Sequence, residues 1–197
     1  LDLREQLEEI KRSGADSIHI DIEDANFVPV MNLGTKIAEA VAQWGELPVE
    51  VHLMVADPEL VLRLLTNVRL DSIAVHLESS GYPRRLLGMV AATGRKAGLA
   101  INPVSPVPNL LAFEPFLDFV LVLTTEPEDG EATFIERRLE AVREVATQLD
   151  GRAIPIIVDG GVNESNAPHL VRAGATGAVV GRALFGSDSM AKTVAAI

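Results

Sequence analysis

The sequence predicts an α/β chain of the (β/α)₈ TIM-barrel class, with the first strand missing from residues 1–197, and three observations carry that expectation. Short apolar runs rich in Ile, Val and Leu alternate with amphipathic stretches at roughly 25-residue intervals, the rhythm of repeated βα units around a parallel sheet. Glycines punctuate the seams between the two kinds of segment. Histidines and aspartates gather where the apolar runs end, which in a parallel barrel is the functional rim.

The chain opens on a predicted helix, Leu3–Ser13, in which Leu3, Leu7 and Ile10 recur at the helical period. Strands are predicted over Ser17–Asp21, Val49–Val55, Ser72–Glu78, Gly98–Asn102, Phe119–Thr124, Ile154–Asp159 and Ala178–Gly181. They are apolar on both faces, as strands sandwiched between a barrel interior and outer helices must be. Helices are predicted over Gly34–Trp44, Pro58–Thr66, Arg84–Ala97, Phe134–Gln148 and Glu164–Ala173, with a short helix after Gly186. Gly14-Ala15-Asp16, Gly174-Ala175-Thr176 and Lys96-Ala97-Gly98 read as helix ends closed by a left-handed glycine. Seven strands are one short of a closed barrel, and two open edges are an aggregation hazard. The expectation is therefore that a strand of about ten residues precedes Leu1. No linker or low-complexity segment divides residues 1–197, which predicts one TIM-barrel domain.

Composition narrows the function classes. A 48% hydrophobic content supplies a core, and a formal net charge of −11 argues against a nucleic-acid or anionic-membrane surface. No apolar run is long enough to span a bilayer and no signal-peptide pattern stands at Leu1, so the reading is a cytoplasmic protein, with which the absence of cysteine agrees. A phosphorylated ligand would have to be attracted locally.

His19 and Asp21 are two apart on one strand and therefore share a face. His52 stands near the end of the next strand, followed by Met54 on the same face, and Asp159 ends a later strand before Gly160-Gly161. Two histidines and two carboxylates from three strand ends suit one divalent cation, and such mixed ligands accept zinc, iron, manganese or cobalt. Taken singly, each has a structural alternative: a hydrogen-bonded histidine, or an aspartate capping a turn. His76 and Glu78 sit at another strand end, where a supporting role is open, and His169 reads as a surface residue of a helix.

The stretches His19-Ile-Asp-Ile-Glu-Asp-Ala-Asn-Phe-Val-Pro29, Val51-His-Leu-Met-Val55, Val75-His-Leu-Glu78, Gly98-Leu-Ala-Ile-Asn-Pro103, Val158-Asp-Gly-Gly-Val-Asn163 and Gly181-Arg-Ala-Leu-Phe-Gly186 resemble the ribulose-phosphate 3-epimerase family in order and spacing. The resemblance implies a metal held by His19, Asp21, His52 and Asp159, with Asp21 and Asp159 also acting as opposed acid and base during C3 epimerisation of a ketose phosphate in the pentose phosphate pathway. It implies that Met54 lines the site, for which core filler is the alternative, and that Gly130, Gly160, Gly161, Gly181 and Arg182 are the substrate and phosphate positions. Backbone amides of glycine-rich turns bind a dianion without a basic surface. A homo-oligomer is also implied.

Three departures stand out. The family's glycine-rich turn after the sixth barrel strand is here Glu126-Pro-Glu-Asp-Gly-Glu-Ala132, keeping only Gly130 and adding Glu128, Asp129 and Glu131. Arg182 replaces a small residue and can offset that charge through a phosphate contact. Glu23 and Leu123 stand where the family has methionine, and Ala25 where it has glycine. The related decarboxylase and hexulose-phosphate synthase group needs a lysine two residues after the first aspartate, where this chain has Glu23. Two alternatives stay open: epimerisation of another ketose or ketose phosphate, and a degenerate barrel that binds a sugar phosphate without turning it over.

Overall fold

The computed structural model describes residues 2–127 and 133–197, so Gly130 and the acidic positions Glu128, Asp129 and Glu131 lie outside the described residues. Helix α1 (Leu3–Ser13) buries Leu7 and Ile10, is capped by Asp2 accepting from the Glu5 amide, and ends on Gly14 at φ 86°. Seven strands follow: β1 (Ile18–Glu23), β2 (Val49–Met54), β3 (Ser72–His76), β4 (Lys96–Ile101), β5 (Phe119–Leu123), β6 (Ile156–Asp159) and β7 (Gly177–Val179). Between and after them run α2 (Thr35–Trp44), α3 (Pro58–Leu64), α4 (Pro83–Ala91), α5 (Arg138–Gln148), α6 (Ala167–Ala173), α7 (Arg182–Phe185) and α8 (Met190–Ala196).

The strands form one sheet in sequence order, every neighbouring pair parallel. Each parallel step needs a crossover, and a sheet wound in one direction from strand to strand curls on itself. His19 on β1 and Asp159 on β6 accordingly approach to 3.8 Å. This is the (β/α)₈-barrel architecture, with seven strands among the described residues.

Two apolar layers hold it. The outer one, between sheet and helices, joins residues such as Leu53, Leu65, Leu87, Leu99 and Val142, all fully buried. The inner one is small: Ala74, Ala100, Phe119, Leu121 and Leu123 fill the barrel on the β3–β5 side, with Ile157 and Val179 against them. Gly98 is needed there because a β-carbon would stand 2.1 Å from the Phe119 ring.

Several expected boundaries shift. The strand expected to reach Glu78 stops at His76, and Leu77–Ser79 turn as a 3₁₀ helix that brings Glu78 back onto His76. The helix expected to reach Ala97 ends at Ala91, because Gly94 at φ 79° closes its turn and β4 begins at Lys96. Gly98 is thus a strand residue and not a helix cap, whereas Gly174 at φ 109° caps α6 as expected. Strand β6 begins at Ile156 because Pro155 has no amide to donate. Strand β7 ends at Val179, which leaves Gly181 to open α7.

Candidate metal centre

Asp21 stands opposite His52 in the β1–β2 register, and His19 opposite Glu50. Alternation along each strand puts His19, Asp21 and Glu23 on one face of β1, and Glu50, His52 and Met54 on the matching face of β2. Asp21 Oδ1 lies 2.9 Å from His52 Nδ1 and 3.2 Å from His19 Nε2. Asp159 Oδ2, at the end of β6, lies 3.7 Å and 3.8 Å from the same two nitrogens. One ligand atom from each of these residues falls within 4.8 Å of all the others.

The donor set fits a divalent cation, and proton bookkeeping shows why. His19 Nδ1 lies 2.7 Å from Glu50 Oε1, and Glu50 Oε2 accepts from Ser72 Oγ at 3.0 Å. Burial opposes ionisation of Glu50, but the hydrogen bond and charge of His19, with the Ser72 hydrogen bond and the His52 charge, together outweigh it and lower its pKa. An ionised carboxylate only accepts, so His19 Nδ1 donates and a neutral His19 turns a bare Nε2 lone pair toward Asp21 and Asp159. Where no metal is bound, a proton is the available cation. Burial works against it, yet hydrogen bonds to Asp21 and Glu50 hold the His19 pKa well above its usual value. Burial pushes His52 down to about 4, the neutral state a ligand needs. Burial also raises Asp21, but His19 and His52 more than reverse that and hold it well below the carboxylate range. Burial, and then the Asp21 charge, push Asp159 up to about 7. A cation among these groups relieves that repulsion.

Asp21 and Asp159 also line a cavity of about 330 Å³ together with Met54, His76, Gly160, Gly181 and Arg182, whereas His19 and His52 do not line it. Gly161 lines it as well. Gly160 is at φ 116° and a β-carbon there would meet Thr125 at 2.4 Å, so no larger residue fits this turn. Asn166 Nδ2 donates to the Gly161 carbonyl at 2.9 Å, and the Asn166 side chain accepts from the Asn163 amide at 2.9 Å, which latches the turn from behind. Gly181 has open space where a β-carbon would go. All the expected site residues among those described are therefore gathered around one strand-end cavity, and His169 is exposed on α6 as expected.

Sequence reasoning missed Glu50, Ser72 and the Asn163–Asn166 latch. A signal for Glu50 was present: a lone carboxylate in an apolar strand, two residues before His52 and on its face.

The family model described as Ribulose-phosphate 3 epimerase family matches residues 1–185. The chain belongs to that family. Over 198 residues it is 34% identical to the ribulose-phosphate 3-epimerase of Bacillus subtilis, covering 99% of this chain and 91% of that one. To the ribulose-phosphate 3-epimerase of Methanocaldococcus jannaschii it is 34% identical over 98% of this chain and 82% of that one. A solved 3-hexulose-6-phosphate synthase shares the fold at a TM-score of 0.69, with 18% identity over 96% of this chain and 90% of that chain. Membership makes the chain an isomerase of the epimerase kind, and the family motif locates its departures. Ala25 keeps the left-handed backbone, at φ 56°, that suits the family's glycine. Asp24 fixes this loop by accepting from the amides of Asn26, Phe27 and Ala56 at 2.9, 2.8 and 2.7 Å. Glu23 and Leu123 both line the cavity, and Glu23 is buried.

Proposed function

We propose that this chain inverts C3 of D-ribulose 5-phosphate to give D-xylulose 5-phosphate, with Asp21 and Asp159 exchanging protons with the substrate. The observation that carries the reading is the convergence of His19, Asp21, His52 and Asp159 within 4.8 Å in a chain of this family. A divalent ion held by these four residues supplies positive charge where the ketose oxygens become anionic. Removing a proton beside a carbonyl and returning one to the opposite face needs two acid–base groups that cannot substitute for each other. Two carboxylates from different strands bordering one cavity meet that need. In one direction Asp21 takes the proton and Asp159 delivers one, and in reverse they exchange roles.

Phosphate recognition rests on Gly160, Gly161, Gly181 and Arg182. Arg182 opens α7 and faces the cavity. A guanidinium there gives local attraction in a chain of net charge −11. Met54 lies against the substrate beside Asp21. Gly130 lies outside the described residues.

The test is a coupled assay on D-ribulose 5-phosphate, with solvent deuterium exchange at C3 followed for Asp21→Asn and Asp159→Asn. Loss of exchange in both, with the fold retained, is the expected result. A variant exchanging at the wild-type rate removes that residue from the reaction. A second reading, epimerisation of a different ketose phosphate, is favoured by one observation: Glu23 and Glu126 put two more carboxylates on the cavity wall. Turnover of another ketose phosphate with a higher kcat/KM than D-ribulose 5-phosphate would select it.

A further inference from the structure

His52 is fully buried, and its two ring nitrogens face different groups. Nδ1 lies 2.9 Å from Asp21 Oδ1, while Nε2 lies 2.8 Å from Nε2 of His76. A neutral imidazole carries one proton, so the site of that proton decides which nitrogen keeps a lone pair. The answer is set two residues away. Glu78 Oε2 lies 3.1 Å from His76 Nδ1, and Glu78 Oε1 accepts from the Asn102 amide at 3.0 Å. The Ser105 side chain adds a further hydrogen bond, and the charge of buried Arg138 acts on the same carboxylate.

A carboxylate satisfied from so many sides is ionised and only accepts, so His76 Nδ1 must donate to it. Burial alone would raise the Glu78 pKa, but the hydrogen bonds led by His76 bring it down to about 2. With a single ring proton, held on Nδ1, His76 keeps only a lone pair on Nε2, and the 2.8 Å contact then takes its donor from the other side. That donor is His52 Nε2–H. His52 Nδ1 is left bare, facing an oxygen of Asp21, and two acceptors head to head need a cation between them. Phe27 holds the His76 ring in place, its own ring 4.8 Å away and inclined by 50°.

We propose that His76 and Glu78 are positioning residues for His52: two hydrogen bonds in series keep its proton on Nε2 and leave the Nδ1 lone pair for a divalent cation shared with Asp21. The proposal rests on the metal reading above. Glu50 does the same for His19 in one step, so each histidine is oriented by a carboxylate outside the set of four.

The experiment uses the full chain loaded with zinc. Long-range ¹H–¹⁵N correlation spectra are expected to show His52 protonated at Nε2 with Nδ1 on the metal, and His76 protonated at Nδ1 alone. A proton on His76 Nε2, or His52 bound through Nε2, overturns the proposal. In parallel, zinc affinity is measured by chelator competition for His76→Leu and His76→Gln. Affinity is expected to fall about 10–100-fold in the leucine variant, which has no acceptor, and to recover largely in the glutamine variant, whose Oε1 can accept from His52. Wild-type affinity in a folded leucine variant overturns the proposal, and the wild-type spectra decide it if that variant does not fold. A wild-type chain that binds none of zinc, iron, manganese or cobalt fails differently: the metal reading falls, and this proposal with it.

Discussion

The two sides of the barrel interior are built from different materials. On the β1–β3 side the inward positions include His19, Asp21, Glu50, His52, Ser72 and His76, linked by hydrogen bonds. On the side centred on β4 and β5 they are Ala100, Phe119, Leu121 and Leu123, with the Phe119 ring seated in the space left by Gly98. The apolar side is a wall that excludes water and cannot rearrange cheaply, because its neighbours are close-packed. The polar side cannot rearrange either, for another reason: moving any member strands a buried donor or acceptor. Rigidity by packing and rigidity by proton accounting meet at the cavity, and each can be broken separately.

The largest expected effect lies on the polar side. Asp21→Asn is expected to lower kcat by about 10²–10⁴-fold while circular dichroism still shows the wild-type fold. Next comes the apolar side: Phe119→Ala is expected to cost about 3–5 kcal/mol in urea unfolding, with zinc affinity within a few-fold of wild type. If affinity collapses as well, the two sides are one cooperative unit and the contrast fails.

A third test concerns acid. The folded-state pKa of Glu78 is brought down to about 2 from an ordinary 4.5, so its stabilisation is present in full above that higher value and is lost as pH falls toward 2. Wild type is expected to lose up to about 3 kcal/mol more than Glu78→Gln over that window, read from urea midpoints. Equal losses would mean that the series behind His52 contributes nothing to the fold. The smallest effect is at the loop joining the polar side to the rim. Ala25→Gly relieves a left-handed alanine and is expected to raise stability by about 1 kcal/mol, seen as a higher unfolding midpoint.

Much of this contrast was legible in the sequence, and for a physical reason. A strand buried on both faces reads as an apolar run, so His19, Asp21, His52 and Asp159 stand out where they interrupt one or end it. What was not legible depends on contacts between distant segments. Glu50 matters because β1 and β2 pair in the register that sets it opposite His19. The turn that carries Glu78 back to His76 replaces the last strand residues, and nothing in Leu77-Glu78-Ser79 announces it apart from its partners. The end of α4 was misjudged for a local reason. Residues 84–97 keep a helix-like apolar pattern to the end, while Gly94 breaks the backbone in their midst.

Thr124 ties the ends of β5 and β6 together: its amide donates to the Asp159 carbonyl at 2.7 Å, and its hydroxyl lies 2.6 Å from the Gly160 carbonyl. Both contacts end on backbone carbonyls, so the clasp draws on the side chain of Thr124 alone and not on those of Asp159 and Gly160. The two strand ends are thus pinned to each other by a residue outside the set of four that surrounds the candidate cation position.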